Sequence, residues 1–360
     1  MVRKRSRDGK IVTVWVAAVL AVLTVFGCFA ALLPRPPDDQ TEFDKFGSDV
    51  VLAKLTQIEG LGSNTVTAAS YANGMHLLAN QPTKLLCSTD GKSWQNVLDH
   101  PSIAGQWASD RIIDEIVYVD GTWFFGVFGW YSQTDGLVFR FRPGTADNSG
   151  LGGEWQASFD GKTSQSGAGV AMEVLDNVLY FVTENGHLYR KTPGGAWYPA
   201  SESVPAPFAG YRVFDLAKCD NLYLALGEDE NGTVLFRASS MTGTWTMKRL
   251  NGIKANRFDT TADGACFIAC DGGKLAYSSD LFSWKISEMA DNVSFTEFFT
   301  FGGKYYAIGS DDTRGVLYES TNGATWERVA SVDEPLSAVS VAEDAAILYA
   351  DGGAIYRLTK

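Results

Sequence analysis

Three arginines recur a short step ahead of an acidic residue: Arg111 in Arg111-Ile112-Ile113-Asp114, Arg212 in Arg212-Val213-Phe214-Asp215, and Arg257 in Arg257-Phe258-Asp259. A guanidinium presents its donors in a rigid planar fork, so such a set could grip a carboxylate. The acids Asp114, Glu173 and Asp259, with Glu297, could supply acid–base chemistry, although a sequence does not give the separation on which a glycosidase-type carboxylate pair depends. The same arginines and acids could instead pair with one another and hold neighbouring elements in register, as buried ion pairs do without any catalytic purpose. Phe128-Gly129-Trp130-Tyr131-Ser132-Gln133 adds two aromatics, Trp130 and Tyr131, able to stack on a sugar or a peptide or to cap their own unit. The candidate ligand-binding set is therefore Arg111, Arg212, Arg257, Trp130, Tyr131, Asp114, Glu173 and Asp259.

Other chemistries have little to build on. The histidines are His76, His100 and His187, scattered and without metal-ligand spacing, which removes most zinc and triad mechanisms. Glu228-Asp229-Glu230-Asn231-Gly232 and Asp311-Asp312-Thr313 are acidic loops without the spacing of a calcium loop. No glycine-rich phosphate loop lies between a strand and a helix. No metal, no cofactor and no catalytic residue is expected. Residues 1–10 hold five basic side chains and one acidic; the remainder holds 25 basic against 41 acidic. A body that acidic repels phosphate backbones, so nucleic acid is not an expected partner.

The elements that must position these side chains announce themselves by repetition. A two-residue turn flanked by apolar runs recurs at Asn73-Gly74, Asp120-Gly121, Asp176-Asn177, Asp220-Asn221, Asp263-Gly264, Gly302-Gly303 and Glu343-Asp344. These residue types tolerate positive φ and close tight hairpins. Successive turns lie roughly 40 to 55 residues apart, the length of a four-stranded propeller blade. A second signal runs in phase. Ser88-Thr89-Asp90-Gly91-Lys92-Ser93-Trp94 returns as Ser278-Ser279-Asp280-Leu281-Phe282-Ser283-Trp284 and Ser320-Thr321-Asn322-Gly323-Ala324-Thr325-Trp326, and more weakly as Ser239 to Trp245. Trp155 and Trp197 mark two decayed copies.

That repeat resembles the Asp-box (BNR) motif of sialidase-like β-propellers over about residues 50–360. The resemblance implies an all-β, seven-bladed β-propeller, with six blades, the sialidase number, as the alternative. It places the boxes between third and outermost strands, away from the ligand, and the ligand where innermost strands begin. Seven first hairpins meet only six Trp-marked fourth strands, so Val50 to Leu55 can complete the last blade and remove an exposed edge. Sialidases of this family carry an arginine triad, a Tyr–Glu pair and an Asp acid. Here the innermost strand of the first blade, Thr65-Val66-Thr67-Ala68-Ala69-Ser70, has no arginine.

Ile11 to Leu33 is uncharged and long enough, at about 1.5 Å per residue, to cross a bilayer as a helix. The basic cluster ahead of it predicts a cytoplasmic tail (1–10), a single-pass membrane helix (11–33), a linker (34–49) and an extracytoplasmic propeller (50–360). Val25-Phe26-Gly27-Cys28 resembles a lipobox and leaves a lipoprotein, or a cleaved signal, as alternatives. Cys87, Cys219, Cys266 and Cys270 read as small core residues, with a pairing of Cys219 to a cysteine of the neighbouring blade left open. The expected function is recognition or scaffolding, with a glycan, peptide or protein as partner. A sialidase-like glycoside hydrolase is the alternative.

Overall fold

The computed structural model describes residues 51–359 except 56–57, 59–60, 62–64, 81–83, 98–111, 128–136, 144–152, 160–168, 192–196, 201–205, 262–263, 290–291 and 312. The expected tail, membrane span, linker and Cys28 lie outside the described residues. Among the described residues no helix is long and apolar enough to cross a membrane.

The described strands form seven four-stranded antiparallel sheets. β1 (Val51–Lys54) stands apart from the strands that follow it in sequence. The first sheet holds β2 (Val66–Ala72), β3 (Met75–Asn80), β4 (Lys84–Ser88) and β5 (Gln95–Asn96). The second holds β6 (Glu115–Val119), β7 (Thr122–Val127), β8 (Leu137–Pro143) and β9 (Gly153–Phe159). β10 (Gly169–Leu175), β11 (Val178–Thr183), β12 (Leu188–Lys191) and β13 (Trp197–Pro199) make the third. β14 (Arg212–Cys219), β15 (Leu222–Asp229), β16 (Gly232–Ala238) and β17 (Thr246–Arg249) make the fourth. In the fifth are β18 (Ala255–Thr260), β19 (Cys266–Cys270), β20 (Lys274–Ser278) and β21 (Lys285–Glu288). The sixth comprises β22 (Val293–Phe301), β23 (Lys304–Asp311), β24 (Arg314–Ser320) and β25 (Glu327–Val332). The last joins β26 (Leu336–Val341), β27 (Ala346–Ala350) and β28 (Ile355–Thr359) to β1.

Sheets follow one another around a ring. The first strand of each touches the first strand of the next, and β26 of the last touches β2 of the first. The architecture is an all-β β-propeller. Second strands are sandwiched between neighbouring sheets on both faces and read as unbroken apolar runs: β3, β19 and β27 are buried at every residue. Outermost strands are short and polar, as β17 and β21 show, which blunts the outer edges. The expected hairpins close on left-handed residues, with φ of 51° at Asn73 and 73° at Gly74, and 51° and 60° at Asp176 and Asn177.

The Ser-rich repeats close on their own side chains. Ser88 Oγ accepts the Gly91 N–H at 2.8 Å, while Asp90 Oδ1 accepts the N–H groups of Lys92 and Ser93, each at 2.8 Å. Asp280 takes Phe282 and Ser283 in the same way, and Asn322 takes Ala324 and Thr325. These bonds hold the Asp90 carboxyl down at about 2; burial opposes the shift and the Ser93 and Lys92 amides outweigh it. The tryptophan that follows packs on neighbouring aromatic rings, in the last sheet for Trp94, in the segment between the third and fourth sheets for Trp245, and in both the fifth sheet and its own for Trp326. Trp94 meets Tyr349 edge-on at 5.9 Å, Trp245 meets Phe208 at 4.9 Å, and Trp326 meets Phe267 and Phe298 at 6.0 Å. Where the ring closes, His76 Nδ1 and the Tyr349 hydroxyl both bond to Ser340 Oγ, at 2.9 and 2.8 Å.

Candidate site on the propeller axis

Six of the seven innermost strands share a local distortion that decides where their central side chains go. Register slips by one residue at Val66/Ala68, Gly169/Ala171, Val213/Asp215, Ala255/Arg257, Phe295/Glu297 and Leu336/Ala338. Each slip is a β-bulge, which re-aims the residue beside it. The partner strand needs room at this point: a Cβ on Gly227 would stand 2.7 Å from the Arg212 carbonyl oxygen. Bulged residues then bond to the next sheet. Thr67 Oγ1 donates to the Ile113 carbonyl at 2.6 Å, Asn256 Nδ2 to that of Phe295 at 2.8 Å, and Thr296 Oγ1 to that of Leu336 at 3.3 Å.

The residue after the bulge forms a layer around the axis. It is Ala68, Ala171 and Ala338 in three sheets, and Asp215, Arg257 and Glu297 in three others. Glu115 of β6 pairs with Gly126, at the same distance from its hairpin turn. Arg257 Nε lies 3.8 Å from Asp215 Oδ2 on the neighbouring sheet. Its Nη1 lies 3.6 Å from Glu115 Oε1, which belongs to a sheet three places away round the ring. Arg257 therefore spans the axis. Two carboxylates of the layer also bind the next sheet: Asp215 Oδ2 accepts the Phe258 N–H at 2.9 Å, and Glu297 Oε2 accepts that of Val339 at 2.7 Å. Two residues further along their strands come Glu173 and Asp259, whose carboxylates accept the N–H groups of Val174 and Thr260.

Acid outnumbers base here, and the carboxyls respond. Burial pushes Glu173, Asp259 and Glu297 up to about 7 each, against the opposing pull of their amide donors. Burial also raises Glu115 and Asp215, although the Arg257 guanidinium draws both down. Desolvation would lower Arg257, but Asp215, Glu115 and the other acids more than reverse that and keep it charged.

Arg257 divides two cavities. On the side where the innermost strands begin, a cavity of about 620 Å³ is lined by Asp114, Glu115, Arg212, Glu228, Lys254 and Asn256, with Arg257. On the opposite side a cavity of about 540 Å³ is lined by Glu173, Asp176, Asp215, Lys218, Asp259 and Glu297, again with Arg257. The sequence-derived set is thus split. Arg212, Arg257 and Asp114 share the first cavity; Glu173 and Asp259 lie in the second. Arg111, Trp130 and Tyr131 fall outside the described residues. Arg212 pairs with Glu228 of its own sheet at 2.9 Å, with its side chain 64% exposed, whereas Arg257 and Asp215 pair across neighbouring sheets. Sequence reasoning passed over Glu115, Lys254 and Asn256, and read Glu228 only as part of an acidic loop. The distance of Glu115 from its hairpin turn, matched in the other sheets, was the available signal. Among the described residues no group of three or more His, Cys, Asp or Glu side chains is placed to hold a metal ion.

No family profile and no curated protein matches the sequence. The fold does match solved structures. Virginiamycin B lyase from Staphylococcus aureus is similar at a TM-score of 0.66 with 10% identity, over 87% of this chain and 100% of that one. YCF48 bound to D1 peptide gives 0.63 with 16% identity, over 89% and 100%. The WD40 β-propeller domain of Doa1 gives 0.59 with 11% identity, over 86% and 95%. At these identities the likeness is one of architecture, and in architecture the chain is a β-propeller.

Proposed function

We propose that the chain is a recognition or scaffold propeller that binds its partner, a glycan, a peptide or a protein, on the face where the innermost strands begin. The observation that carries this reading is the open cavity of about 620 Å³ with Arg212 and Lys254 at its rim and Arg257 at its floor. Side chains of both signs line it, which suits a polar ligand bearing a carboxylate beside hydrogen-bonding groups. The structural similarity to a propeller that holds a peptide, YCF48, is consistent with a peptide partner. In this reading the seven sheets are seven blades, and the side-chain-closed turns at Asp90, Asp280 and Asn322 support kinship with the Asp-box propellers.

The same reading places the propeller outside the cytoplasmic membrane, held by residues 11–33 with the N-terminus inside; the uncharged span after a basic tail supports it. Binding of the full-length chain to peptide and glycan arrays tests the recognition site. Arg212→Glu together with Lys254→Glu should abolish binding, and undiminished binding by that variant would place the site elsewhere. A second reading, a sialidase-like hydrolase, draws on Glu173, Asp259 and Glu297, three carboxyls near 7 lining one cavity. Turnover of a fluorogenic sialoside or glycoside that disappears in Glu173→Gln or Glu297→Gln would establish that reading in place of the first.

A further inference from the structure

We propose that Cys219 and Cys266 form a disulfide that staples the fourth sheet to the fifth when the chain folds in an oxidising compartment. Cys219 is the last residue of β14, and Cys266 is the first of β19. The segments around them are in contact at three consecutive residues. The Lys218 carbonyl accepts a hydrogen bond from Thr260 Oγ1 at 3.0 Å, and Thr260 is the register partner of Cys266. Cys219 donates its S–H to the Gly264 carbonyl at 3.0 Å, two residues short of Cys266. Asp220 closes over Gly264 so tightly that a Cβ there would meet its carboxylate at 3.0 Å. Both sulfurs belong to one apolar cluster between the two sheets, at 2% and 0% exposure.

The remaining cysteines are placed less well. Cys270 follows Cys266 four residues along one strand, roughly 13 Å away, well beyond the reach of a disulfide. Cys87 belongs to a different cluster, between the first two sheets. Oxidation removes two protons and two electrons from the two thiols and joins the sulfurs. The acceptor is a small-molecule or protein disulfide, reduced to two thiols by exchange. Burial and the neighbouring Cys219 push the Cys266 thiol well up, so the folded pair exchanges poorly. The bond therefore forms while the two sheets are still assembling and is shielded from reductant afterwards.

The biological setting rests on the extracytoplasmic reading, but the chemistry can be tested apart from it. The full-length chain is refolded in oxidised and reduced glutathione, denatured, alkylated before any reduction, and digested for mass spectrometry. The expected result is a linked peptide pair carrying Cys219 and Cys266, with Cys87 and Cys270 alkylated. The oxidised form should melt about 4–8 °C above the reduced one, and Cys219→Ser or Cys266→Ser should abolish that difference. Alkylation of both Cys219 and Cys266 after oxidative refolding would overturn the proposal. Chain extracted from cells as the dithiol, yet linked after refolding, would support the pairing and refute the compartment.

Discussion

Replacing Glu297 by glutamine tests the electrostatics of the axis with one atom exchanged. The amide keeps an oxygen to accept the Val339 N–H, now made by Oε2 at 2.7 Å, so packing and the contact between sheets should survive. Burial lifts the Glu297 carboxyl from an ordinary 4.5 to about 7, with Arg257 and the Val339 amide opposing the shift. A carboxyl raised in the folded state binds more protons there than in the unfolded chain. Its contribution is fully present below the ordinary value and is lost as pH rises through 7. The displacement of about 2.5 on the pH scale corresponds to about 3 kcal/mol lost by pH 8, and to about 1 kcal/mol at pH 5. Glu297→Gln, which cannot ionise, should therefore be more stable than the parent by about 3 kcal/mol at pH 8 and about 1 kcal/mol at pH 5. Urea unfolding of both full-length chains at the two pH values, followed by tryptophan fluorescence, reads the difference. An advantage that is absent, or equal at both pH values, would refute the picture of a desolvated axial carboxyl.

Other perturbations separate the remaining parts. Trp→Ala at Trp94, Trp245, Trp284 or Trp326 should cost about 2–3 kcal/mol each in urea unfolding, below the usual range for core aromatics because these indoles are only half-buried; unequal effects, large at one site and absent at another, would break the equivalence of the repeats. Arg212→Glu should leave the melting temperature within about 1–2 °C, as befits an exposed ion pair. Arg257→Gln, by contrast, should lower it, more at pH 8 than at pH 6, because Asp215 and Glu115 lose their cation. Asp90→Ala should destabilise the chain near neutral pH but not below pH 2, where the parent carboxyl is itself protonated; acid titration of the melting temperature checks this. Alkaline carbonate should leave the full-length chain in the membrane fraction, and Cys28→Ser should not change that. Release of the Ser variant would favour a lipoprotein.

The propeller was legible because its signals are local and repeated. A turn residue that tolerates positive φ, such as Asn73 or Asp176, and a Ser-x-Asp turn that closes on its own side chain can be read without any tertiary knowledge. The missing strand was legible too, since counting hairpins against Trp-marked strands pointed to the segment that forms β1. The axis was less so. Arg257 and Asp215 were visible as residue types, but their partners come from other sheets: Glu115 reaches Arg257 across the ring, with no relation of spacing in the chain. In β10, β14 and β18 the split of Glu173, Arg212, Arg257 and Asp259 between two cavities follows from where each stands relative to its strand's bulge. A bulge is set by backbone register, and Val213-Phe214-Asp215 and Ala255-Asn256-Arg257 have nothing in common in sequence that marks one.

The pairing of β1 with β28 sets a timetable. Val51 lies opposite Thr359, about 300 residues later in the chain. A ribosome delivers the first six sheets in sequence, each able to form its own hairpins as it emerges. β1 is made before any of them and has no partner until β28 is translated. Until β26 is made the nascent ring is open between its first and sixth sheets, with β2 and β22 each lacking a neighbour, and until β28 is made β1 carries a bare edge. Translation stalled or truncated ahead of Leu336 would leave that gap, and truncation ahead of Ile355 would leave β1 unpaired, whatever the intrinsic quality of the finished sheets. Chaperone dependence and proteolytic turnover should therefore track deletions of the segment from β26 to β28 far more steeply than equal-length deletions from a loop.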